Sequence, residues 1–165
     1  MIHIPKDIQK KISFLIGKSN QVSNAPVMVF DESRTKFLSD LSRELLSDPS
    51  IRQYPDAATF AFWCRSSNLN KIIKNHRTSR LRVGLGMVYH NSPSNVPVNF
   101  AFSLAFGLLS GNTNVVRLSS KGSDSELIIL NVISELLATN KYSEIRQFIS
   151  IIKFDRDDDV NKFWM

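Results

Sequence analysis

Polar side chains that could hold a ligand are concentrated in two short turns, at residues 91–95 (NSPSN) and 117–121 (RLSSK). Their amide, hydroxyl and cationic groups are hydrogen-bond donors of the kind that hold phosphate groups and other negative charge. Each turn follows an apolar, strand-like segment, and open α/β sheets bind ligands at the carboxyl ends of their strands. We therefore expect the two turns to lie near one another at one rim of a sheet.

The residues around these turns predict a strand, a helix and a second strand. Residues 82–89 alternate apolar side chains with glycine and valine and are bounded by turn residues, as in a buried strand. Residues 98–109 are apolar on almost every face, so the helix that they form must be covered on several sides. Residues 114–118 then form the second strand, because parallel strands need a crossover of this kind. At the start of the helix, Asn95 is expected to be the N-cap and Pro97 to lie in the first turn.

Further elements are predicted on both sides of this unit. The segments before it are helices at 7–16, 32–46 and 55–76 and a short strand at 27–30. The residues after it predict a helix that begins at the S-x-x-E capping box of Ser123, and a third buried strand at 148–154. The order β, α, β, α, β is half of a doubly wound parallel sheet. We therefore predict an α/β chain with a mainly helical region at residues 1–80 and an incomplete nucleotide-binding domain at residues 81–165.

Composition and charge limit the class of protein. The chain has 165 residues and a net charge of +6, but its lysines and arginines are scattered and its aromatic residues fall on apolar faces. A nucleic-acid-binding surface would instead combine a basic stripe with exposed aromatic residues, so we do not expect nucleic acid as a partner. No apolar run reaches the roughly 18 residues of a membrane span, and the N-terminal segment lacks the uninterrupted apolar stretch of a signal peptide. A cytoplasmic location is the resulting expectation.

The few cysteine and histidine residues do not indicate a metal site. The single cysteine, Cys64, excludes an internal disulfide and a multi-cysteine metal site. It lies in an aromatic helical run, which favours a buried and inert thiol. Among the histidines, His76 is expected to be a solvated residue at a helix end, and His90, beside the turn at Asn91, is the better functional candidate.

Two motifs resemble one enzyme superfamily. The sequence P-S-N-V-P at Pro93, an apolar helix and then G-N-T-N-V-V-R-L-S-S resemble the aldehyde dehydrogenase pattern of P-W-N-F-P, apolar helix, G-N-T, apolar strand and K-P-S-E. The likeness is closer to the acyl-CoA reductases typified by the fatty-acid reductase of bacterial bioluminescence, in which Arg replaces that Lys. The segment from Tyr54 to Leu69 resembles another part of the same branch, and the resemblance covers roughly residues 37–154.

The resemblance implies an enzyme that reduces a fatty acyl-CoA or acyl-protein thioester to the aldehyde with NADPH, through a cysteine acyl-enzyme. In the family, the nucleophilic cysteine lies downstream of the strand-helix-strand unit. Cys64 lies before that unit, so the nucleophile is expected beyond residue 165. The chain also stops just after an aromatic pair that begins a new apolar element. We therefore expect an N-terminal fragment of a longer, homo-oligomeric protein that is inactive by itself.

The resemblance also assigns roles to the two turns. Asn95 matches the side-chain amide that donates a hydrogen bond to the oxyanion, although capping the helix is the simpler interpretation of this residue alone. Arg117 matches the lysine that holds the adenosine ribose, the alternative being a salt bridge at the end of the strand. Ser120 replaces a glutamate that binds the ribose 2′-hydroxyl, so the second turn favours NADPH on charge grounds. The residues expected to contact this half of the cofactor are Arg117, Ser119, Ser120 and Lys121. The residues expected to contact the nicotinamide half through their backbone are Asn91, Ser92, Pro93 and Ser94, and Asn95 is also expected to contact the cofactor.

Two other functions fit the sequence. A stand-alone basic interaction module could retain half of a nucleotide-binding fold, and a genuine stop codon after Met165 with a monodisperse product would support it. Another reductase of the aldehyde dehydrogenase superfamily could use an acyl phosphate in place of a thioester. A substrate screen of the full-length protein would distinguish that enzyme from an acyl-CoA reductase.

Overall fold

The computed structural model describes residues 1–18, 20–76 and 78–165 and shows, within them, an α/β fold with two sheets. The strands are β1 (Ile2–His3), β2 (Ser13–Ile16), β3 (Gln21–Val22), β4 (Met87–Asn91), β5 (Thr113–Arg117) and β6 (Ile149–Lys153). The α-helices are α1 (Lys6–Gln9), α2 (Glu32–Ser47), α3 (Pro55–Trp63), α4 (Ser66–His76), α5 (Asn99–Leu109), α6 (Asp124–Ala138) and α7 (Asp158–Trp164). Short 3-10 helices lie at Pro49–Gln53, Asn140–Tyr142 and Ile145–Phe148.

The main sheet has the strand order β2-β6-β5-β4 and contains the parallel unit predicted from the sequence. The strands β4, β5 and β6 are parallel, and helices α5 and α6 make the two crossovers between them. The strand β2 pairs antiparallel with β6 at the edge, so a strand from residues 1–80 joins the sheet of the following region. The strands β1 and β3 form a separate antiparallel pair. The α/β class and the β, α, β, α, β order are therefore confirmed.

Apolar side chains cover both faces of the main sheet. Successive residues of a strand point to opposite faces, so Val116 packs with α2, α3, α5 and α6, whereas Val115 packs with α1 and α7. The predicted amphipathic helix at 32–46 is confirmed as α2. Its N-cap is Asp31, whose carboxylate accepts a hydrogen bond from the backbone N–H of Arg34 at 3.1 Å. This helix packs its apolar side against the face of the sheet to which Val116 points.

The helix predicted at residues 7–16 is confirmed only over its first residues, because the end of that segment is the edge strand β2. Helix α1 ends at Gln9, and β2 forms backbone hydrogen bonds with β6. The edge of β6 supplies partners to this segment, and tertiary pairing of this kind overrides a weak local pattern. The predicted strand at 27–30 is reduced to a single bridge, which joins Met28 to Val83.

The predicted strand at residues 82–89 begins later than expected, with β4. In the stretch ahead of β4, Leu85 is 92% exposed and Gly86 has a φ of +110°, which interrupts an extended backbone. A Cβ atom added at Gly84 would lie 2.2 Å from the carbonyl oxygen of Gly111, so this glycine permits a close approach of two backbone segments. The alternation of glycine with apolar residues therefore belongs to a turn that docks against the end of α5.

A buried carboxylate joins α2 to the connection between α6 and β6. Asp40 accepts hydrogen bonds from Arg43 at 2.6 Å, from the ammonium group of Lys141 and from the hydroxyl of Tyr142. Burial by itself raises the pKa of Asp40, but these three donors outweigh it, so the pKa of Asp40 lies below its ordinary value. The folded state therefore favours the ionised form of Asp40, and ionisation of this residue stabilises the fold.

We predict that Asp40→Asn lowers the free energy of unfolding at pH 7 by about 1–3 kcal/mol, because the three donors around this buried position lose their charged acceptor. A carboxylate with a lowered pKa stabilises the fold above its unfolded-state pKa, and this stabilisation is lost as the pH falls through the folded-state pKa. The difference between the two proteins should therefore shrink below about pH 4. Urea unfolding at pH 7 and at pH 3 measures this difference. Glu135→Gln, a charge change at an exposed position of α6, is the control, and an equal effect of both substitutions would contradict the role of Asp40.

Candidate functional site

The two polar turns lie side by side at the edge of the main sheet where β4, β5 and β6 end, which we call the carboxyl rim. Asn91 and Arg117 are partners in the parallel register of β4 and β5. The backbone N–H of Ser92 donates to the carbonyl oxygen of Arg117 at 3.1 Å, and Arg117 Nη1 donates to Asn91 Oδ1 at 3.2 Å. The structure therefore brings the two turns together, as their positions in the sequence predict.

Arg117 also reaches the neighbouring strand β6. Its Nη2 donates to the carbonyl oxygen of Phe154 at 3.2 Å, and its guanidinium carbon lies 4.3 Å from the centre of the Phe154 ring. No carboxylate in the described part of the chain forms an ion pair with Arg117, so the alternative of a strand-end salt bridge is not observed. The guanidinium is held by neutral acceptors, and its positive charge remains available at the carboxyl rim.

The turn after β5 leads directly into helix α6. Ser119 Oγ accepts a hydrogen bond from the N–H of Lys121 at 3.3 Å, and Ser123 Oγ accepts one from the N–H of Glu126 at 3.1 Å. The side chain of Glu126 does not complete the predicted capping box, because it pairs with Lys153 at 3.1 Å. The amino terminus of this 15-residue helix, with its partial positive charge, therefore lies beside the carboxyl rim.

Three buried polar atoms close to the carboxyl rim lack a hydrogen-bond partner among the described residues: Tyr89 Oη, Ser92 Oγ and Arg117 Nε. Buried polar groups are nearly always paired with protein, water or ligand, so these atoms mark a place that suits a polar ligand group. Burial raises the pKa of Tyr89, an effect that the charge of Arg117 opposes. All three atoms can donate a hydrogen bond, which fits the phosphate and hydroxyl oxygens of a nucleotide.

The prediction that Asn95 caps the helix is wrong. Helix α5 begins at Asn99 with Val98 as its N-cap, and no side chain caps it in the described structure. The N–H of Asn99 donates to the carbonyl oxygen of Val96 at 3.0 Å, so a turn that contains Pro97 precedes the helix. A residue before proline avoids helical backbone angles, which delays the start of α5. Asn95 is exposed in the preceding turn, and its amide does not cap the start of α5.

A polar pair of one half-buried and one fully buried side chain lies next to the first turn. His90 Nε2 is 3.0 Å from Asn114 Oδ1, and Asn114 Nδ2 donates to the carbonyl oxygen of Asn112 at 3.0 Å. Because Asn112 fixes the orientation of the Asn114 amide, His90 Nε2 carries the proton of their shared bond. Burial lowers the pKa of His90, and the bond to Asn114 opposes this effect without cancelling it. His90 is thus a neutral donor at pH 7. Sequence reasoning missed Asn114, whose only signal was a polar residue inside an apolar strand.

The other residues singled out from the sequence are inert or exposed. Cys64 is fully buried, and burial raises the pKa of its thiol, which confirms a structural cysteine. His76 is exposed at the end of α4, with Nδ1 2.9 Å from the carbonyl oxygen of Ile72. Within the described ranges, no cluster of three His, Cys, Asp or Glu residues could hold a metal ion. A cavity of about 640 Å³ lies at the opposite end of β6 from the carboxyl rim, and its lining includes Ile16, Gly17, Leu137, Arg146 and Ser150.

Comparison with known proteins identifies a family. A family model described as Acyl-CoA reductase (LuxC) matches residues 61–162, which is more than half of the 165-residue chain and includes both polar turns. A search of curated proteins and a search of solved structures each gave no match. Among the described residues, no helix combines the length and the apolar character that a membrane span requires.

We predict that Gly107→Ala destabilises the protein by about 1–3 kcal/mol, because overpacking outweighs the better helix propensity of alanine. The added Cβ would lie 1.7 Å from Asn114 Oδ1 and 3.1 Å from His90 Nε2, which displaces the buried amide. Urea unfolding measures the loss, and NMR of the His90 ring N–H reports whether the pair breaks. Ser103→Ala on the same helix is the matched control. A stabilised Gly107→Ala protein would show that helix propensity decides this position.

Proposed function

We propose that this chain, which belongs to the acyl-CoA reductase (LuxC) family, binds NADPH at its carboxyl rim as part of an enzyme that reduces fatty acyl thioesters to aldehydes. Reductases of this family generally use a nicotinamide cofactor. One observation carries the proposal: Arg117 is held at the rim between Asn91 and the carbonyl oxygen of Phe154, and its buried Nε has no partner among the described residues. The proposed substrates are acyl-CoA and acyl-protein thioesters.

The charge of the second turn supports NADPH over NADH. Arg117 and Lys121 are cationic, and the hydroxyls of Ser119 and Ser120 can donate hydrogen bonds to a phosphate. A phosphate monoester such as the 2′-phosphate of NADPH carries about −1.5 to −2 charges at neutral pH, and a guanidinium binds such a group through charge-assisted hydrogen bonds. The amino terminus of α6 adds partial positive charge at the same edge of the sheet. These groups together fit the phosphorylated adenosine half of the cofactor.

The first turn is proposed to contact the nicotinamide half, which supplies the hydride for the reduction. The contacts would come from the backbones of Asn91, Ser92, Pro93 and Ser94. The buried hydroxyl of Ser92, which has no partner among the described residues, supports this placement because it can donate to a polar group of the cofactor. The parallel register that aligns Asn91 with Arg117 keeps both halves of this proposed site on one rim.

Asn95 is proposed to stabilise the negative charge that develops on the thioester oxygen. Its side chain is exposed and caps no helix, so the amide can turn toward a substrate. A neutral amide donates a hydrogen bond without having to be protonated, and pre-placed donors of this kind stabilise oxyanions. The acyl-enzyme would require another thiol than that of Cys64, which is buried and has a raised pKa. The chain alone is therefore expected to bind the cofactor without reducing thioesters.

We predict that Arg117→Glu weakens NADPH binding by roughly tenfold or more, because a charge-assisted hydrogen bond to phosphate is replaced by repulsion. NADH should lose less affinity, since it lacks the 2′-phosphate. Fluorescence titration of the chain with each dinucleotide measures both effects. Arg117→Lys keeps the charge and should keep the preference, and Arg52→Glu is the control for charge reversal at an exposed, distant position.

Equal losses for NADPH and NADH in Arg117→Glu would contradict the assignment of the 2′-phosphate to this residue. If the unaltered chain bound neither dinucleotide, the cofactor proposal would fail and the basic interaction module would be favoured. Thioester reduction by these 165 residues alone would contradict the requirement for a further thiol.

We predict that Asn95→Ala lowers the rate of thioester reduction by about 10²–10³-fold, the usual effect of removing one oxyanion donor. The assay uses a catalytically competent protein that carries this chain together with the proposed thiol. Stability should not change, because Asn95 is exposed and caps no helix. Ser94→Ala, in the same turn, is the matched control. A variant that is destabilised but fully active would show that Asn95 has a structural role only.

A further inference from the structure

The loop after β6 places a carboxylate next to the proposed cofactor site. Asp155 directly follows Phe154, whose carbonyl oxygen accepts a hydrogen bond from Arg117 and whose ring lies against the same guanidinium. Ser120 Oγ lies 3.5 Å from Asp155 Oδ1, at the outer limit for a hydrogen bond. A negative charge from the end of β6 therefore borders the second turn, whose own polar side chains are cations and hydroxyls.

Two carboxylates near this edge are paired with lysines, whereas Asp155 is not. Glu126 pairs with Lys153 at 3.1 Å, and Lys11 pairs with Asp157 at 2.9 Å. In the parts of the chain that the structure describes, Asp155 has no ion pair, and its side chain accepts a hydrogen bond from Ser120. Its charge therefore acts on whatever anion approaches the second turn.

We infer that Asp155 is a specificity-determining residue that opposes nucleotides with a 2′-phosphate and so limits the preference created by Arg117. A carboxylate repels a phosphate dianion but accepts a hydrogen bond from a ribose hydroxyl, so its effect depends on the group at the 2′ position. Asp155 also accepts a hydrogen bond from the hydroxyl of Ser120, which could otherwise donate to the phosphate. This inference rests on the proposed function, because it requires the adenosine half of the cofactor at the second turn.

The expected effect is modest, because Asp155 is exposed to solvent. Solvent-exposed charge pairs change an affinity by roughly twofold to fivefold, and salt screens them. Asp155→Asn should therefore tighten binding of 2′,5′-ADP by roughly twofold to fivefold at low ionic strength, and the gain should shrink as salt is added. Binding of 5′-AMP, which lacks the 2′-phosphate, should not tighten.

Isothermal titration calorimetry of the chain with 2′,5′-ADP and with 5′-AMP tests this inference. Asp158→Asn is the matched control, because it removes the same charge from an exposed position in the first turn of α7 and has no contact with Ser120. NADPH and NADH, titrated in parallel, should show the same selective change. Asparagine has nearly the shape of aspartate and the position is exposed, so folding should be preserved, which a thermal melt checks.

Each other outcome overturns the inference in a recognisable way. Weaker binding of both nucleotides by Asp155→Asn would show that the carboxylate holds the ribose and does not repel the phosphate. An equal gain in Asp158→Asn would show a general effect of net charge. An unchanged ratio of affinities would refute the role of Asp155 while leaving the proposed function intact. If the unaltered chain bound none of the four nucleotides, the proposed function would fail together with the inference.

Discussion

The parallel pairing of β4, β5 and β6, fastened at its end by Arg117, is the constraint on which the rest of the structure depends. The register aligns Asn91 with Arg117, and the Arg117 side chain donates hydrogen bonds to Asn91 on one side and to the carbonyl oxygen of Phe154, just after β6, on the other. A slip of one residue would turn the guanidinium to the opposite face of the sheet. The two polar turns would then no longer share one rim. Their proximity is therefore a consequence of strand register and crossover length.

Buried polar groups help to hold that register beneath helix α5. Asn114 is fully buried in β5, and its amide is satisfied by His90 on one side and by the carbonyl oxygen of Asn112 on the other. A buried amide without hydrogen-bond partners costs free energy. Registers of β4 and β5 that separate Asn114 from its partners are therefore disfavoured. Gly107 completes the arrangement because the absence of a Cβ makes room for the amide under the helix.

The parts of the fold that the sequence predicts correctly have strong local signals. Asp31 caps α2, Ser123 caps α6, and the apolar run at 148–154 is the buried strand β6. The failures depend on contacts between distant residues. The strand β2 exists because β6 offers it an edge, and no periodicity in its own few residues reveals that partner. The candidate site shows the same division, since the two turns could be placed at one rim, whereas the bond from Arg117 to Phe154 joins residues 37 positions apart.

An arginine at position 117 has enough donors to fasten the sheet and to hold a ligand at the same time. A guanidinium carries five N–H donors in a planar fork. The sheet uses one donor on Nη1 and one on Nη2, and the buried Nε–H is among those without a partner in the described residues. A lysine presents its donors from a single atom, so it would lack the fork that reaches Asn91 and the Phe154 carbonyl together while lying flat on an aromatic ring. In the proposed function, the side chain of Arg117 therefore binds the nucleotide phosphate and also holds the ends of three strands together. A ligand that binds only the folded state stabilises that state. A bound nucleotide should therefore stabilise the carboxyl rim, and disruption of the rim should weaken nucleotide binding.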